Sequence, residues 1–382
     1  MTKKKQIYIS LGSNQGDRLI YLVKALCFLE SFGIKISLLS RIYETPPWGF
    51  ESTPFYNACA QLQTELSPLQ LMEVLLNVEQ LLGRSRSISD GYTARTIDLD
   101  LLCYEEVELI SDRLTLPHPR LELRNFVLHP LEEIAGGWIH PVFRKTISEL
   151  KQASSDEAIC NPFPFSFWSP PLFESYSYIV VEGNIGVGKS TLTKKLGAQY
   201  KAEILLETFV DNPYLASFYK DPKKYALAVE TFFLNDRLAQ TAQFWKHNST
   251  KVVSDYFLNK SLVFATQNLS KDDFIIYQEE FSKAIKKQVN PTLMVYLHAE
   301  VPHLQKQIKK RGRPFEKEIQ ADYLMKIAKG YEKLIQTDLP FPVVNIAVDD
   351  LNFESDEAAF QSILRAIYKT TFLRNSPKPL LQ

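Results

Sequence analysis

The run from Tyr178 to Gly197, YIVVEGNIGVGKSTLTKKLG, constrains this chain more than any other stretch. An apolar segment suited to a buried strand leads into Gly183-Asn-Ile-Gly-Val-Gly188-Lys189-Ser190. That loop matches G-x-x-x-x-G-K-[ST] in full, and a helical pattern follows it. Strand, glycine loop and helix in this order call for a parallel sheet, because the helix carries the chain back beside its first strand. The glycines let successive backbone N–H groups turn inward around phosphate oxygens, and the helix N-terminus adds positive potential. Gly183, Asn184, Ile185, Gly186, Val187, Gly188, Lys189, Ser190 and Thr191 are therefore expected to bind ATP. Lys189 is expected on the β/γ-phosphates and Ser190 on a Mg²⁺ ion. Apolar strand candidates at 202–206, 251–255, 292–298 and 342–348 alternate with helical stretches and extend the pattern to a doubly wound α/β domain.

That domain leaves much of the chain unused. At 382 residues the protein exceeds the size at which one core stops growing, so two domains are expected. Before residue 150 the pattern differs. Strand-like runs at 6–12, 34–43, 55–64 and 95–102 are interleaved with helical runs at 19–32 and 68–82, which predicts an α+β sandwich. Residues 152–175 then hold Pro162, Pro164, Pro170 and Pro171 with no helical or strand period. Phe163, Phe165, Phe167, Trp168 and Phe173 make this a linker that packs against a domain rather than a solvated tether. The expected layout is a first domain over 1–151, a linker over 152–175 and a P-loop domain over 176–382.

Charge is balanced, with 44 Lys and Arg against 44 Asp and Glu, so a nucleic-acid polymer is not an expected partner. Cys27, Cys59, Cys103 and Cys160 have no paired spacing and suit buried free thiols in a reducing compartment. The first residues lack a leader's apolar core, and no apolar run reaches membrane-spanning length. A cytoplasmic protein without membrane contact is expected.

Within RTIDLDLL (95–102), Asp98 and Asp100 interrupt an otherwise apolar strand. At i and i+2 they share a face, roughly 6.6 Å apart at the usual strand rise. Unpaired, such a charge pair costs several kcal/mol to bury. Arg84, Arg86, Arg95, Arg113 and Arg124, with His118, lie nearby in sequence. Two carboxylates suit Mg²⁺ and arginines suit phosphates, so a triphosphate site without a P-loop is one reading. An internal Asp–Arg ion-pair network is the other. In the second domain, Glu207 follows a strand and would face the P-loop crevice, where it could take a proton from an attacking hydroxyl. Arg311 and Arg313 in KKRGR could fold over a transferring phosphoryl group. Phe232, Phe233 and Tyr214 could stack on a base or belong to the core.

EGNIGVGKST, ETFVDNPYLASFYKDP, FFLNDRLAQ, VVSDYFLNKSLVFA, KKRGR and AVDDLNF together resemble the deoxynucleoside kinase family. The resemblance implies ATP-dependent phosphorylation of a deoxynucleoside 5′-hydroxyl, with ADP released. Glu207 stands where that family has its catalytic base, and Arg311 and Arg313 where it has catalytic lid arginines. Arg237 and Asp255 lie in the matching segments and, with Tyr214 and Phe232 as the stacking candidates, are the expected substrate-binding residues. Ser254-Asp255-Tyr256 departs from the acidic-Arg-Ser triplet of the animal-type members, as purine-type bacterial relatives do. A homodimer through the kinase domain is implied by analogy.

GSNQGDR, YETPPWG, FYNA, GRSR, RTIDLDLL and RLTLPHPRLELRNFVLHPL resemble 6-hydroxymethyl-7,8-dihydropterin pyrophosphokinase, a folate-biosynthesis enzyme. This implies a ferredoxin-like α+β fold and pyrophosphate transfer from ATP to a hydroxymethylpterin, with AMP released. Asp98 and Asp100 fall on the family's ligands for two Mg²⁺ ions. Thr45, Pro46, Trp48, Asn57 and Phe126 fall on the pterin pocket. Arg84 and Arg95 fall on catalytic positions, and Glu79, Arg86, Arg113, His118 and Arg124 on the ATP side. The loop 87–92 departs from the family, with Tyr92 where some members have tryptophan. The expected protein is a bifunctional transferase, the alternative being one catalytic half and one nucleotide-binding or assembly module.

Overall fold

A computed structural model describes residues 6–84, 93–164, 167–168, 172–208, 212–247, 250–286, 288–313, 316 and 319–374. The chain divides into two compact units, one running to Pro170 and including the chain from Tyr368 onward, the other Pro171–Ile367.

In the first unit β1 (Ile7–Ser13), α1 (Arg18–Ser31), β2 (Lys35–Leu39), β3 (Tyr43–Thr45), β4 (Phe55–Gln63), α2 (Pro68–Leu81) and β5 (Asp98–Tyr104) follow in order. A short ribbon of β6 (Leu109–Ile110) and β7 (Thr115–Leu116), then α3 (Asn125–Ala135), α4 (Ile147–Ala153) and β8 (Asn161–Pro162) complete it. The helices start where side chains can satisfy open N–H groups. Asp17 caps α1 through the Ile20 N–H, and Ser67 and Gln70 form a capping box at α2 with Pro68 in the first turn. The sheet runs β5-β1-β4-β3-β8, with β2 also on β4, and its described pairings are antiparallel. The alternating run 34–43 is two strands rather than one, broken where the Ser40 hydroxyl accepts the Cys59 N–H.

One sheet face packs Tyr8, Cys59 and Leu102 against Val127, Leu128 and Leu131 of α3 and Ile147 and Leu150 of α4. Strand alternation puts Asp98 and Asp100 on the same face as Leu102, past the edge of that apolar cluster. Ser10 and Gly12 of β1 lie opposite them in register. In the segment after α4, Asn161 and Pro162 pair with β3, and Phe163 donates its N–H to Ile42 and stacks on Tyr56 at 4.6 Å. This is the antiparallel ferredoxin-like α+β arrangement expected for the first part of the chain.

In the second unit α5 (Leu172–Ser175) precedes β9 (Tyr178–Gly183), α6 (Lys189–Tyr200), β10 (Glu203–Leu205), α7 (Leu215–Lys220), α8 (Pro222–Phe244) and β11 (Val252–Ser254). Next come α9 (Lys260–Asn268), α10 (Lys271–Ile285), β12 (Leu293–His298), α11 (Val301–Arg311), α12 (Ala321–Ile335), β13 (Val343–Ala347) and α13 (Glu357–Arg374), of which the part to Ile367 belongs to this unit. Among the described residues the sheet has five parallel strands in the order β10-β11-β9-β12-β13. Buried β9 lies between β11 and β12, so its apolar run continues on both faces. The order matters for chemistry. The loops leaving β9, β11 and β10 are neighbours at the carboxyl edge of the sheet, where parallel α/β folds bind ligands.

Candidate functional sites

The first unit holds a cavity of about 250 Å³ lined by the open end of β1, β4 and β5. Thr45, Pro46, Trp48, Asn57, Arg84, Arg95, Asp98, Asp100, His118, Arg124 and Phe126 all line it. The Asn57 amide donates to the Thr45 hydroxyl at 2.7 Å, which fixes both polar groups at the cavity wall. The Arg124 guanidinium sits 5.1 Å from the Trp48 ring centroid and 5.5 Å from that of Phe126, within cation–π range of each.

The aspartates do meet arginines. Asp98 is paired with Arg84 and, at 2.7 Å, with Arg95, while Asp100 has Arg124 at 3.8 Å. Glu79 lies behind the cavity, buried, where it pairs with Arg84 and accepts the Leu99 N–H at 2.8 Å. It orients the arginine. Burial, and then the neighbouring Asp98 charge, push the Asp100 carboxyl up to about 6, against the pull of Arg124. Burial, then Arg124 and Arg120, lower His118 to about 4, which leaves it neutral near pH 7.

Arg113 is a correction. Its side chain is 69% exposed and pairs with Glu73 at 2.9 Å, away from the cavity, because it belongs to the turn between β6 and β7 rather than to the sheet edge. Arg86 and the loop 87–92 lie outside the described residues. Arg120, Phe50 and Phe55 line the cavity without having been singled out.

The second unit holds a cavity of about 450 Å³ over the P-loop. Gly183 takes φ +146°, and a Cβ there would stand 2.2 Å from the Leu297 carbonyl oxygen. Gly188 takes φ +99°, with a Cβ position 2.7 Å from the Phe353 ring. Only glycine fits such positions. Gly188 leaves α6 without a side-chain cap, so its first N–H groups stay available to an anion. Ile185, Gly186, Gly188, Lys189, Ser190 and Thr191 line the cavity. Gly183, Asn184 and Val187 support the loop from behind, with the Asn184 amide bonded to the Leu324 carbonyl. The Lys189 ammonium folds back onto the Gly183 and Asn184 carbonyls at 2.9 Å each. Burial, and then the like charge of Lys260, lower it to about 8.

Around the loop stand the charged groups of the neighbouring strand ends. The Ser190 hydroxyl donates to Asp255, which also accepts the Glu207 N–H at 2.7 Å. One Glu207 oxygen accepts Nε and Nη2 of Arg237 at 2.8 and 2.6 Å, and the other is paired with Lys260. Burial alone would raise the Glu207 carboxyl, but Lys260 and Arg237 outweigh it and hold it well below the usual carboxylate range. Arg311 and Arg313 both rest on Glu316, at 3.0 and 3.1 Å. Of KKRGRPFEKEI, residues 314, 315, 317 and 318 lie outside the described residues.

Two substrate assignments need correction. Tyr214 and Phe232 do not line this cavity, while Phe233 does. Tyr214 stands exposed at the N-cap of α7, and for Phe232 the reason is helical phase. Glu230, Phe233 and Arg237 stand at i, i+3 and i+7 on one face of α8, and Phe232 is turned about 100° away. Sequence reasoning also passed over Glu230, Lys260, Asn268 and Glu316, all of which line the cavity. The phase relation with Arg237 was available as a signal for Glu230, and the spacing RGRPFE for Glu316. Glu230 is buried. The Asn268 amide donates to its Oε1 at 2.7 Å, and its Oε2 has no hydrogen-bond partner among the described residues. Burial raises this carboxyl to about 7, against the opposing Asn268 hydrogen bond and Arg237 charge.

Among the described residues no three or more His, Cys, Asp or Glu side chains converge as a metal cluster. The donor sets on offer are the carboxylate pair Asp98 and Asp100, and the Ser190 hydroxyl beside Asp255. Both suit Mg²⁺, which takes one or two protein oxygens and completes its shell with water and phosphate. No helix among the described residues is long and apolar enough to cross a membrane.

Comparison with known proteins finds two families. The profile of the deoxynucleoside kinases matches residues 179–373, and that of the 7,8-dihydro-6-hydroxymethylpterin-pyrophosphokinases matches residues 8–136. A 2-amino-4-hydroxy-6-hydroxymethyldihydropteridine pyrophosphokinase of Aquifex aeolicus is 38% identical over 155 residues, covering 40% of this chain and 95% of that protein. A deoxyguanosine kinase of Bacillus subtilis is 32% identical over 193 residues, covering 49% of this chain and 93% of that protein. The folic acid synthesis protein fol1 of Pneumocystis carinii is 38% identical over 174 residues, covering 44% of this chain but only 23% of that longer protein.

Proposed function

The chain belongs to the hydroxymethyldihydropterin pyrophosphokinase family in its first part and to the deoxynucleoside kinase family in its second, and from this we propose that both halves catalyse. The first, spanning 1–151, transfers pyrophosphate from ATP to 6-hydroxymethyl-7,8-dihydropterin and releases AMP. The second, spanning 176–382 beyond the 152–175 linker, phosphorylates the 5′-hydroxyl of a deoxynucleoside and releases ADP. The observation that carries the reading is the separate set of convergent polar groups in each cavity.

In the first half the pterin ring stacks on Phe126, with Thr45, Pro46, Trp48 and Asn57 forming the rest of its pocket. Asp98 and Asp100 would hold two Mg²⁺ ions, which supply charge neutralisation to the ATP phosphates when bound. Arg84, Arg95, His118 and Arg124 bind and orient the polyphosphate. In the second half the P-loop holds ATP, and Ser190 would hold one Mg²⁺. Glu207 accepts the proton of the 5′-hydroxyl, and Arg311 and Arg313 leave Glu316 to meet the transferring group. Glu230 and Asn268 line the base end, and a purine is the base proposed. A homodimer through this half is proposed by analogy with the deoxynucleoside kinase family. Light scattering of the purified chain checks it.

The test supplies full-length protein with Mg²⁺, ATP and one acceptor at a time: the reduced hydroxymethylpterin or each of the four deoxynucleosides. AMP with the pterin and ADP with a deoxynucleoside are expected. An acceptor class that leaves ATP intact assigns that half to binding or assembly.

A further inference from the structure

The mechanism above leaves the buried charge of Lys260 unused. Lys260 is the first residue of α9, and its side chain is 6% exposed. Lysine is among the residues least often buried, and a cation in the first turn of a helix opposes the positive end of the helix dipole. Both features make this an unfavourable place for an ammonium group, so its surroundings must compensate.

Glu207 compensates only in part. That carboxylate already has a cation in Arg237, which gives it two hydrogen bonds on one oxygen and a third bond to the Ser261 hydroxyl at 2.6 Å. Lys260 is the second cation on Glu207, and it also faces the buried Glu182 carboxyl. Lys260 contacts the other oxygen, the one with lone-pair capacity left for a substrate hydroxyl. Its ammonium group therefore lies beside the place where an attacking hydroxyl would bind. The same cavity wall carries Lys189, Arg311 and Arg313. Burial first and the like charge of Lys260 second lower the Lys189 ammonium, against the opposing charges of Glu182, Glu207 and Asp255. An anion in that space would relieve the repulsion.

We propose that Lys260 is a further catalytic residue of the kinase half, its ammonium group donating to an oxygen of the γ-phosphoryl group as that group passes to the 5′-hydroxyl held by Glu207. The inference rests on the kinase reading given above. In the step, a lone pair of the 5′-oxygen forms the bond to the γ-phosphorus, and the bond from that phosphorus to the β,γ-bridging oxygen breaks. Its electron pair leaves with ADP. The hydroxyl proton goes to Glu207, and Lys260 keeps its own protons throughout. Charge on the transferring oxygens is greatest in the transition state, so the contact acts on turnover more than on substrate binding.

The experiment uses full-length Lys260→Met and Lys260→Arg variants, with ADP formation measured on the best deoxynucleoside acceptor of the wild type. Lys260→Met is expected to lower kcat about 100-fold or more while KM for ATP and for the deoxynucleoside stays within about threefold. Binding of ADP with aluminium fluoride and the deoxynucleoside, a mimic of the transferring state, is expected to weaken in parallel with kcat, while binding of ADP alone is retained. A kcat within about fivefold of wild type overturns the proposal, as does a rise in KM with kcat intact. Lys260→Arg, which keeps the charge, decides the matter if Lys260→Met does not fold. A roughly tenfold fall in kcat at unchanged KM supports the role, because a planar guanidinium cannot reproduce the ammonium geometry. Wild-type kcat in that variant, or a change in KM alone, contradicts it. A wild type that forms no ADP with any deoxynucleoside removes the kinase reading itself, whereas an active wild type with indifferent variants removes only the role of Lys260.

Discussion

Replacing Asp100 with Asn should make the protein more stable near neutral pH while removing its pterin-dependent activity. The Asp100 carboxyl is raised from 3.8 to about 6, by burial first and by the Asp98 charge second. A raised acid binds its proton more tightly folded than unfolded, so the stability it contributes is present below pH 4 and lost as pH rises through about 6. A shift of about two units corresponds to roughly 3 kcal/mol. The Asp100 side chain is 34% exposed, and solvent screening reduces the figure to about 1–2 kcal/mol. Losing the partner of Arg124 at 3.8 Å works in the opposite direction and keeps the expectation at the lower end. For a unit of this size that is an increase of about 2–6 °C in its melting transition. Calorimetry of the full-length protein in EDTA without nucleotide, at pH 7.5 and pH 4.5, reads it directly. The transition of Asp100→Asn should lie above wild type at pH 7.5, with the gap shrinking at pH 4.5. A variant no more stable than wild type at pH 7.5, or a gap independent of pH, refutes the reasoning.

Three further outcomes follow from the two cavities. Glu230 changes charge near pH 7, so the wild-type KM for the preferred deoxynucleoside should fall as pH rises from 6 to 8, when the carboxylate becomes a better acceptor for a base N–H. In Glu230→Gln that dependence should vanish, and a pH-independent wild-type KM contradicts the assignment. Phe126→Ala should raise KM for the pterin about tenfold through lost stacking, leaving KM for ATP in the same reaction nearly unchanged; equal effects on both would place Phe126 elsewhere. Gly188→Ala puts a methyl group 2.7 Å from the Phe353 ring at φ +99°, and should lower ATP-dependent ADP formation at least 100-fold while AMP formation persists. ADP formation near the wild-type rate would show that the loop tolerates a side chain there.

What the sequence made legible was whatever is encoded locally. The P-loop with its flanking strand and helix is a contiguous run whose chemistry and secondary structure follow from spacing, and the spacing of the two RTIDLDLL aspartates puts them on one strand face while leaving their partner open. The less legible residues act through tertiary neighbours. Phe233 rather than Phe232 faces the P-loop cavity because of the phase of α8, which it shares with Arg237. Arg113 reads like its neighbouring arginines in sequence, yet the β6–β7 turn carries it out to Glu73. Lys260 looked like an ordinary helix lysine until Glu207, fifty-three residues away, closed on it. The RTIDLDLL aspartates are held by Arg84, Arg95 and Arg124, as the ion-pair reading expects, and the metal-phosphate reading stays with the proposed function.

The central claim is that the chain carries two independent phosphoryl-transfer sites. Lys189→Met and Asp98→Asn, each in the full-length protein, test it most directly when AMP and ADP are measured with the pterin and with the preferred deoxynucleoside. Lys189→Met should abolish ADP formation and leave pterin-dependent AMP formation within about twofold of wild type, since Lys189 serves only the P-loop cavity. Asp98→Asn should do the reverse. A single substitution that silences both products, or a wild type that forms only one of them, would contradict the account.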